Sequence, residues 1–262
     1  MHPALWISKT GLDAQQTELQ VTSNNLANAS TIGYKKSRAI FEDLFYQTVM
    51  QPGAQSSQST ELPSGLMLGT GVKTIATQKD FMQGGFQTTQ NQMDMAIEGA
   101  GFFQVLQPDG SLAYTRAGNF VLNSTGQLVT SGSGYLLQPA ITVPVDALSF
   151  DVATNGTISV QMLGQPAPQV LGQIQLADFI NQAGLKPIGQ NLFVETATSG
   201  APIVGNPDQQ GLGRTRGGQL ESSNVSVVEE MIGLIETQRA YEINAKVVSS
   251  VDQMLQFVNQ TL

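Results

Sequence analysis

The chain has no cysteine among its 262 residues, which excludes disulfides, thiolate metal centres and a cysteine nucleophile. That suits an oxidising compartment without requiring one. Histidine is almost as scarce: His2, beside the N-terminus, is the single example. Neither a Ser-His-Asp triad nor a multi-histidine metal site is therefore expected. Charged residues make up 12 % of the chain, about half the usual share of roughly 25 %. Twelve basic residues against 20 acidic ones leave a net charge of −8 and a pI near 4.5. Phosphate contacts need a basic patch, so nucleic acid is not an expected partner. The same deficit argues against docking on an anionic membrane. No apolar run approaches the roughly 18 residues of a membrane span, so direct membrane insertion is not expected. The opening Met1–Ile7 lacks a basic region, and its apolar stretch of Ala4, Leu5, Trp6 and Ile7 is too short for a cleaved secretory signal.

What is present reads as helix, then a long β-rich middle, then helix. From Ala4 to about Ser30 the only glycine is Gly11, and Pro3 suits a first helical turn. Leu5, Leu12, Leu19 and Leu26 recur every seven residues, with Ile7, Ala14 and Val21 on a second row. Sustained sevenfold spacing is the mark of a coiled-coil seam. Asn28 and Gly33 then predict the end of the helix. At the other end Val227, Leu234, Tyr241, Val248, Leu255 and Leu262 are again seven apart, and Met231 and Ala245 fill a partner row. Gln238, Asp252 and Asn259 interrupt it. Ser226 followed by Glu229 fits a capping box. A helix from Ser226 to Leu262 spans ~55 Å at ~1.5 Å per residue.

Strand and turn signals dominate between the helices. Asn155-Gly156 between alternating apolar residues predicts a hairpin with positive φ at both turn positions. Pro108-Asp109-Gly110 and Asn123 to Gly126 predict further turns. The expected architecture is α+β: long N- and C-terminal helices form a coiled-coil-like α domain, with an antiparallel, partly barrel-like β domain inserted between them. The expected division is residues 1–33 for the first helix and 34–93 for an extended linker region. Residues 94–204 would be the β domain, 205–225 a return linker rich in glycine and proline, and 226–262 the last helix. Gln51 to Gly65, rich in Gln and Ser, reads as an extended segment with little secondary structure of its own.

Candidate chemistry is thin. Gly69-Thr70-Gly71 and Gly99-Ala100-Gly101 lack the full phosphate-loop pattern and read as turn glycines. Asp94, Glu98, Asp109 and Asp151 offer carboxylates for a glycosidase pair, but nothing in the sequence brings two face to face. Glu229, Glu230, Glu236, Arg239 and Glu242 form a charged face on the last helix, either solvated or pairing between subunits. Two apolar stripes at opposite ends, each too long for a compact domain, favour assembly with other copies. A repeated contact that does not close generates a helical filament.

Several runs resemble the bacterial flagellar family of rod and hook proteins. Ser23-Asn24-Asn25-Leu26-Ala27-Asn28 with Thr31, Gly33, Tyr34 and Lys35, then Phe41-Glu42-Asp43-Leu44, is similar to its N-terminal signature. Ser223-Asn224-Val225, Val228-Glu229-Glu230-Met231 and Gln238-Arg239-Ala240-Tyr241-Glu242 are similar to its C-terminal one. Gly99, Gly101 to Phe103, Tyr114-Thr115-Arg116, Gly118, Phe120 and Gly126 to Thr130 match its middle. Arg214-Thr215-Arg216-Gly217-Gly218 departs from the family pattern of an apolar or aromatic residue and Gln before a single glycine. Within the family, Tyr46 to Gly65 resembles an insertion typical of distal-rod members and generally missing from hook and proximal rod proteins.

The resemblance implies a structural subunit of the distal rod, polymerising with itself into a rigid tubular drive shaft that passes motor torque to the hook. A proximal rod or hook-type protein is the alternative within the family, and a secreted fibre or adhesin module lies outside it. The implied partners are other copies, proximal rod proteins, the hook protein, the surrounding peptidoglycan-layer and outer-membrane rings, and the flagellar type III export apparatus. The implied place is the periplasmic rod of the basal body, reached without a cleaved signal. Enzymatic activity, cofactors and metals are not expected. The assembly interface is expected at Leu5, Leu12, Leu19, Leu26, Asn24, Asn25 and Asn28, and at Met231, Leu234, Tyr241, Val248 and Leu255. Tyr46, Gln51, Pro52, Gln55, Pro63 and Gly65 are expected to mark a rod-stiffening segment.

Overall fold

The computed structural model describes residues 3–53, 55–57, 60–61, 64–163 and 167–261. Two compact units are present, one made of residues 1–27, 37–78 and 226–262 and the other of 28–36 and 79–225.

In the first unit, helices α1 (Pro3–Ala27) and α2 (Val227–Thr261) pack on each other. Ser226 precedes α2, and its carbonyl accepts the first intrahelical bond from the Glu230 amide at 3.0 Å. Glu229 and Glu230 in that first turn complement the positive helix end. At 35 residues, α2 is ~52 Å long. Strand β1 (Ser37–Asp43) packs on α1 and pairs with β6 (Val72–Lys79). Between them, β2 (Gln47–Met50) pairs antiparallel with β5 (Leu66–Leu68), and β3 (Gln55–Ser57) with β4 (Thr60–Glu61). The segment expected to be extended is therefore a two-tiered antiparallel ribbon. The partner of each strand lies within about 20 residues. Gly65 makes its turn possible, because a Cβ there would lie 2.6 Å from the Met50 carbonyl oxygen.

The second unit is antiparallel β. Its strands are β7 (Phe86–Thr88), β8 (Met95–Glu98), β9 (Phe102–Leu106), β10 (Leu112–Thr115), β11 (Phe120–Leu122), β12 (Leu128–Thr130), β13 (Leu136–Gln138) and β14 (Ala147–Val152). Then come β15 (Thr157–Met162), β16 (Gln169–Gln173), β17 (Leu176–Asp178), β18 (Lys186–Gly189), β19 (Leu192–Val194), β20 (Ile203–Gly205), β21 (Arg214–Gly217) and β22 (Gln219–Glu221). The main sheet runs β11-β12-β13-β9-β10-β19-β18 and branches at β9. There β13 takes Gln104 to Leu106 on one edge while β17 takes Phe102 and Phe103 on the same edge. Nine of the described strands form this open, branched sheet, while β14-β15-β16, β8–β21 and β7–β22 pair apart from it. Phe103, Val105, Phe120, Leu137, Ile158 and Leu176 lie in the unit's main core, and Phe102, Tyr114, Phe179 and Phe193 form a second, aromatic one.

The expected hairpin at Asn155-Gly156 is present, joining β14 to β15 with Val152 opposite Ile158. Its turn differs from the expectation. Gly156 has φ 81°, whereas Asn155 is not among the described residues with positive φ. The amide of Gly156 bonds the Ala153 carbonyl at 2.9 Å, so a wider loop replaces the two-residue turn, with glycine alone in the left-handed position.

The stretch 205–225, expected as a linker, carries two strands. Arg214–Gly217 pairs with β8, and Gln219–Glu221 with β7. Glycine and proline density suggested a linker, but strands three or four residues long take their stability from partners more than a hundred residues away in sequence. Both arginines of the unusual Arg214-Thr215-Arg216 run ion-pair with Glu98, Arg216 at 2.8 Å.

Glu221 anchors the middle of this unit. Its side chain is fully buried, with Lys35 Nζ at 2.7 Å on Oε1 and Arg116 Nη1 at 3.3 Å on Oε2. The Gly84 amide also donates to Oε1, at 3.0 Å. Lys35 donates further to the Met82 carbonyl at 2.7 Å, and Arg116 to that of Gly99 at 2.7 Å. Burial pushes both cations below their ordinary pKa, and the Glu221 carboxylate opposes that push in each case.

Candidate assembly interface

The two helices run antiparallel, because Asn25 meets Glu230 near one end while Gly11 meets Asn244 nearer the other. Their shared seam is made of small and polar residues. On α1 Ser8, Ala14, Thr22 and Asn25 are buried, and Gly11, Gln15 and Glu18 are half-buried beside them. On α2 Glu230, Thr237, Asn244 and Val251 follow at sevenfold spacing, with Gly233, Leu234 and Ala240 beside them. Small side chains let the two backbones approach, and Asn25 bonds Glu230 across the seam, while the Gln15 side-chain oxygen is buried without a hydrogen-bond partner among the described residues.

The expected leucine seam lies to one side of this. Leu5, Leu12, Leu19 and Leu26 are only half-buried. They share a period with the seam but stand about a sixth of a turn round from its Ser8, Gln15 and Thr22 row, which Leu5, Leu12 and Leu19 each precede by three positions. Asn25, expected at a contact between copies, is an internal fastener at 2 % exposure. Its amide donates to the Ser37 carbonyl at 2.8 Å and to Glu230 Oε2 at 3.1 Å, while its oxygen accepts from the Ser37 amide at 2.8 Å. Asn24 is exposed. Asn28 belongs to the other unit, where its side-chain oxygen accepts from the Thr31 hydroxyl at 3.2 Å.

On α2, Leu234 and Val248 are half-buried, whereas Met231, Tyr241 and Leu255 are exposed. Val228, Ile232, Ile235 and Ile243 are exposed too, and with Met231 they make one apolar side of the helix, about half a turn from Leu255. The largest apolar side chains of this helix thus point away from its partner. Val251, 6 % exposed, is the last buried position among its described residues.

The ribbon is similarly bare. Tyr46, Val49, Met50, Leu66, Met67 and Leu68 are all exposed, and Phe45 beside them is 95 % exposed. Gln51 and Pro52 are exposed at its first bend, and Gly65 is half-buried at its return. Pro63 and the side chain of Gln55 lie outside the described residues.

Three of the four carboxylates singled out for chemistry are occupied otherwise, and Asp151 is exposed on β14. Hydrogen bonds from Arg214 and Arg216 hold Glu98 down to about 2. Asp94 accepts from the Thr89 hydroxyl at 2.7 Å and the Asn91 amide at 2.9 Å. Asp109 caps its own turn through Ser111. Sequence reasoning passed over the small residues of the seam. The available signal was their own sevenfold spacing: Ser8, Gln15, Thr22 and Gly11, Glu18, Asn25.

Three family models match the chain. Residues 6–35 match "Flagella basal body rod protein", and residues 96–160 match "Flagellar hook protein FlgE/F/G D1 domain". Residues 216–261 match "Flagellar basal body rod FlgEFG protein C-terminal". All three describe flagellar rod and hook proteins, the class to which the order of helix, sheet and helix points. The flagellar basal-body rod protein FlgG of Buchnera aphidicola subsp. Acyrthosiphon pisum is 52 % identical over 260 residues, covering 99 % of this chain and all of its own. That of Caulobacter vibrioides is 46 % identical over 258 residues, 98 % of each chain. That of Bacillus subtilis is 35 % identical over 257 residues, 97 % of this chain and 96 % of its own. The chain belongs to the FlgG family of flagellar basal-body rod proteins.

Proposed function

We propose that this protein is the structural subunit of the distal rod of the flagellar basal body, polymerising into a rigid tube that carries motor torque to the hook. Full-length similarity to the rod proteins supports the place, and the outward apolar side of α2 supports the polymer. Covering a side chain such as Met231 or Ile235 is worth roughly 1.5–3 kcal/mol, and only another molecule is left to do so. The inner layer of the tube is then a coiled-coil-like array of α1–α2 hairpins, contributed by Leu5, Leu12, Leu19 and Leu26 on one helix and Met231, Leu234, Tyr241, Val248 and Leu255 on the other. The ribbon from Tyr46 to Gly65 reaches a neighbouring copy and locks the sliding that a bendable joint needs. Proximal rod proteins and the hook protein cover the two ends of the tube, the peptidoglycan-layer and outer-membrane rings surround it, and the type III export apparatus delivers the chain to the periplasmic rod.

Electron microscopy of the purified, assembled chain tests this. Straight tubes are expected, and Met231→Asp is expected to abolish them while leaving the melting temperature unchanged. Closed, countable oligomers of the wild-type chain would refute the proposal.

A further inference from the structure

A chain without cysteine has no thiol to meet an oxidant first, so its readily oxidised sulfurs are the thioethers of its nine methionines. The fold sorts them by access. Met95 of β8 is fully buried in the main core of the second unit. Met93 and Met162 are half-buried. Met50, Met67, Met82, Met231 and Met254 are 46–70 % exposed. Met1 lies outside the described residues.

Four of the five exposed methionines belong to the first unit and stand on its bare apolar surfaces. Met50 and Met67 are on the ribbon strands β2 and β5, and Met231 and Met254 are on α2. The fifth, Met82, is in the second unit, where its main chain is held. Its amide donates to Asp80 Oδ1 at 3.0 Å, and its carbonyl accepts from Lys35 Nζ at 2.7 Å and Asn224 Nδ2 at 3.1 Å. Its side chain stands out into solvent.

Met231 has the surroundings in which oxidation matters. On a helix the neighbours of a side chain lie three and four positions away. For Met231 these are Val227, Val228, Leu234 and Ile235, all aliphatic. A thioether suits that company, being apolar and flexible enough to follow whatever surface covers it. A sulfoxide does not, because its oxygen is a strong acceptor and the four neighbours have no donor to offer. Another copy that covers it would bury an unsatisfied polar group. Met254 and Met67 differ in this respect. Ser250 lies one turn before Met254, and Thr48 lies opposite Met67 in the β2–β5 ladder, so each has a hydroxyl at hand.

We propose that Met231 is an oxidation site, with hydrogen peroxide as its reagent, and that its sulfoxide bars a free subunit from the polymer. The sulfur lone pair attacks one peroxide oxygen, and the O–O bond breaks as the S–O bond forms. The departing hydroxide takes up the proton of the transferred oxygen and leaves as water. Sulfur is oxidised by two electrons and the peroxide is reduced by two. The site rests on the rod-subunit reading, because it is open in the free chain and closed once another copy covers α2. A methionine sulfoxide reductase returns the thioether.

Partial oxidation of the wild-type chain tests this without any substitution. Free subunits are treated with hydrogen peroxide until the exposed methionines are partly converted, the peroxide is removed, and polymerisation is started. Peptide mass spectrometry then measures the sulfoxide at each methionine in pelleted tubes and in the supernatant. Met231 sulfoxide is expected to be at least tenfold enriched in the supernatant, whereas Met82 sulfoxide divides evenly. Met95 stays reduced in both fractions, which reports that the fold survived the treatment. Reductase treatment of the supernatant is expected to restore its polymerisation. Preformed tubes given the same dose are expected to be oxidised at Met82 and spared at Met231. Three results would overturn the proposal while leaving the rod reading intact: Met231 sulfoxide shared equally between tubes and supernatant, Met82 sulfoxide excluded as strongly, or Met231 oxidised as fast in tubes as in free subunits. An untreated chain that forms no tubes would overturn the rod reading, and the proposal with it.

Discussion

Replacing Glu221 by Gln removes the carboxylate that two buried cations share. Lys35 and Arg116 are 1 % and 3 % exposed, so neither can turn to water once the carboxylate is gone. The glutamine oxygen can still accept from Lys35 and Gly84, but its amide then presents hydrogens toward the Arg116 guanidinium. Breaking a buried pair from one side in this way costs about 3–5 kcal/mol, a large part of the 5–15 kcal/mol that holds an ordinary domain together. For a unit of this size that corresponds to a fall in melting temperature of about 6–20 °C, measured by calorimetry on the full chain.

The deficit has a pH signature. In the wild type Glu221 opposes the lowering of the Lys35 pKa by burial. Without Glu221 only the weaker pull of Asp80 opposes that lowering, so the folded variant releases the lysine proton at a lower pH than the unfolded chain does. Its penalty is complete below the folded pKa and shrinks as the pH rises from there toward the unfolded lysine value of about 10.4. A loss under about 1 kcal/mol, or a deficit that stays flat up to pH 10, would refute the assignment of Glu221 as the charge that holds this unit.

Asn25→Ala removes two bonds to the Ser37 backbone and one to Glu230, so the first unit should lose about 1–3 kcal/mol in urea unfolding followed by Trp6 fluorescence. Glu98, held down to about 2 by its two arginines, should stabilise the β8–β21 pair fully above the ordinary carboxylate pKa. That contribution should vanish as the pH falls through about 2. An NMR titration of its side chain should move toward the ordinary value in the Arg214→Ala, Arg216→Ala double variant, and no movement would mean that the arginines do not hold it. Deleting residues 51–65 should yield curved or bendable tubes under the microscope, whereas tubes as straight as the wild type would leave the ribbon without a mechanical role.

The two long helices were legible because a sevenfold period survives any choice of which residues carry it. The expected 4–30 and 226–262 became Pro3–Ala27 and Val227–Thr261. The seam itself was misplaced, because apolarity was taken as the sign of burial. Here the buried residues of α1 are Ser8, Ala14, Thr22 and Asn25, and the leucines beside them are half-buried. Pairings that span long loops left no local trace. Nothing around Glu221 announces Lys35, 186 residues away, or Arg116, 105 away, and β21 has too few residues to show a period of its own. The ribbon was hidden for a different reason, since its Gln- and Ser-rich tip masks the ladder of Gln47–Met50 with Leu66–Leu68.

A hairpin that closes on small side chains keeps its own shape without using its most adhesive surface. In the proposed tube, a subunit with Ile235→Asp therefore still folds, still presents its other flank, and still docks on a growing end. The next copy then meets a charge where it needs an apolar side chain, and growth stops there. Such a subunit acts as a chain terminator: a small fraction mixed into wild-type protein shortens every tube, and mean length falls as the reciprocal of that fraction.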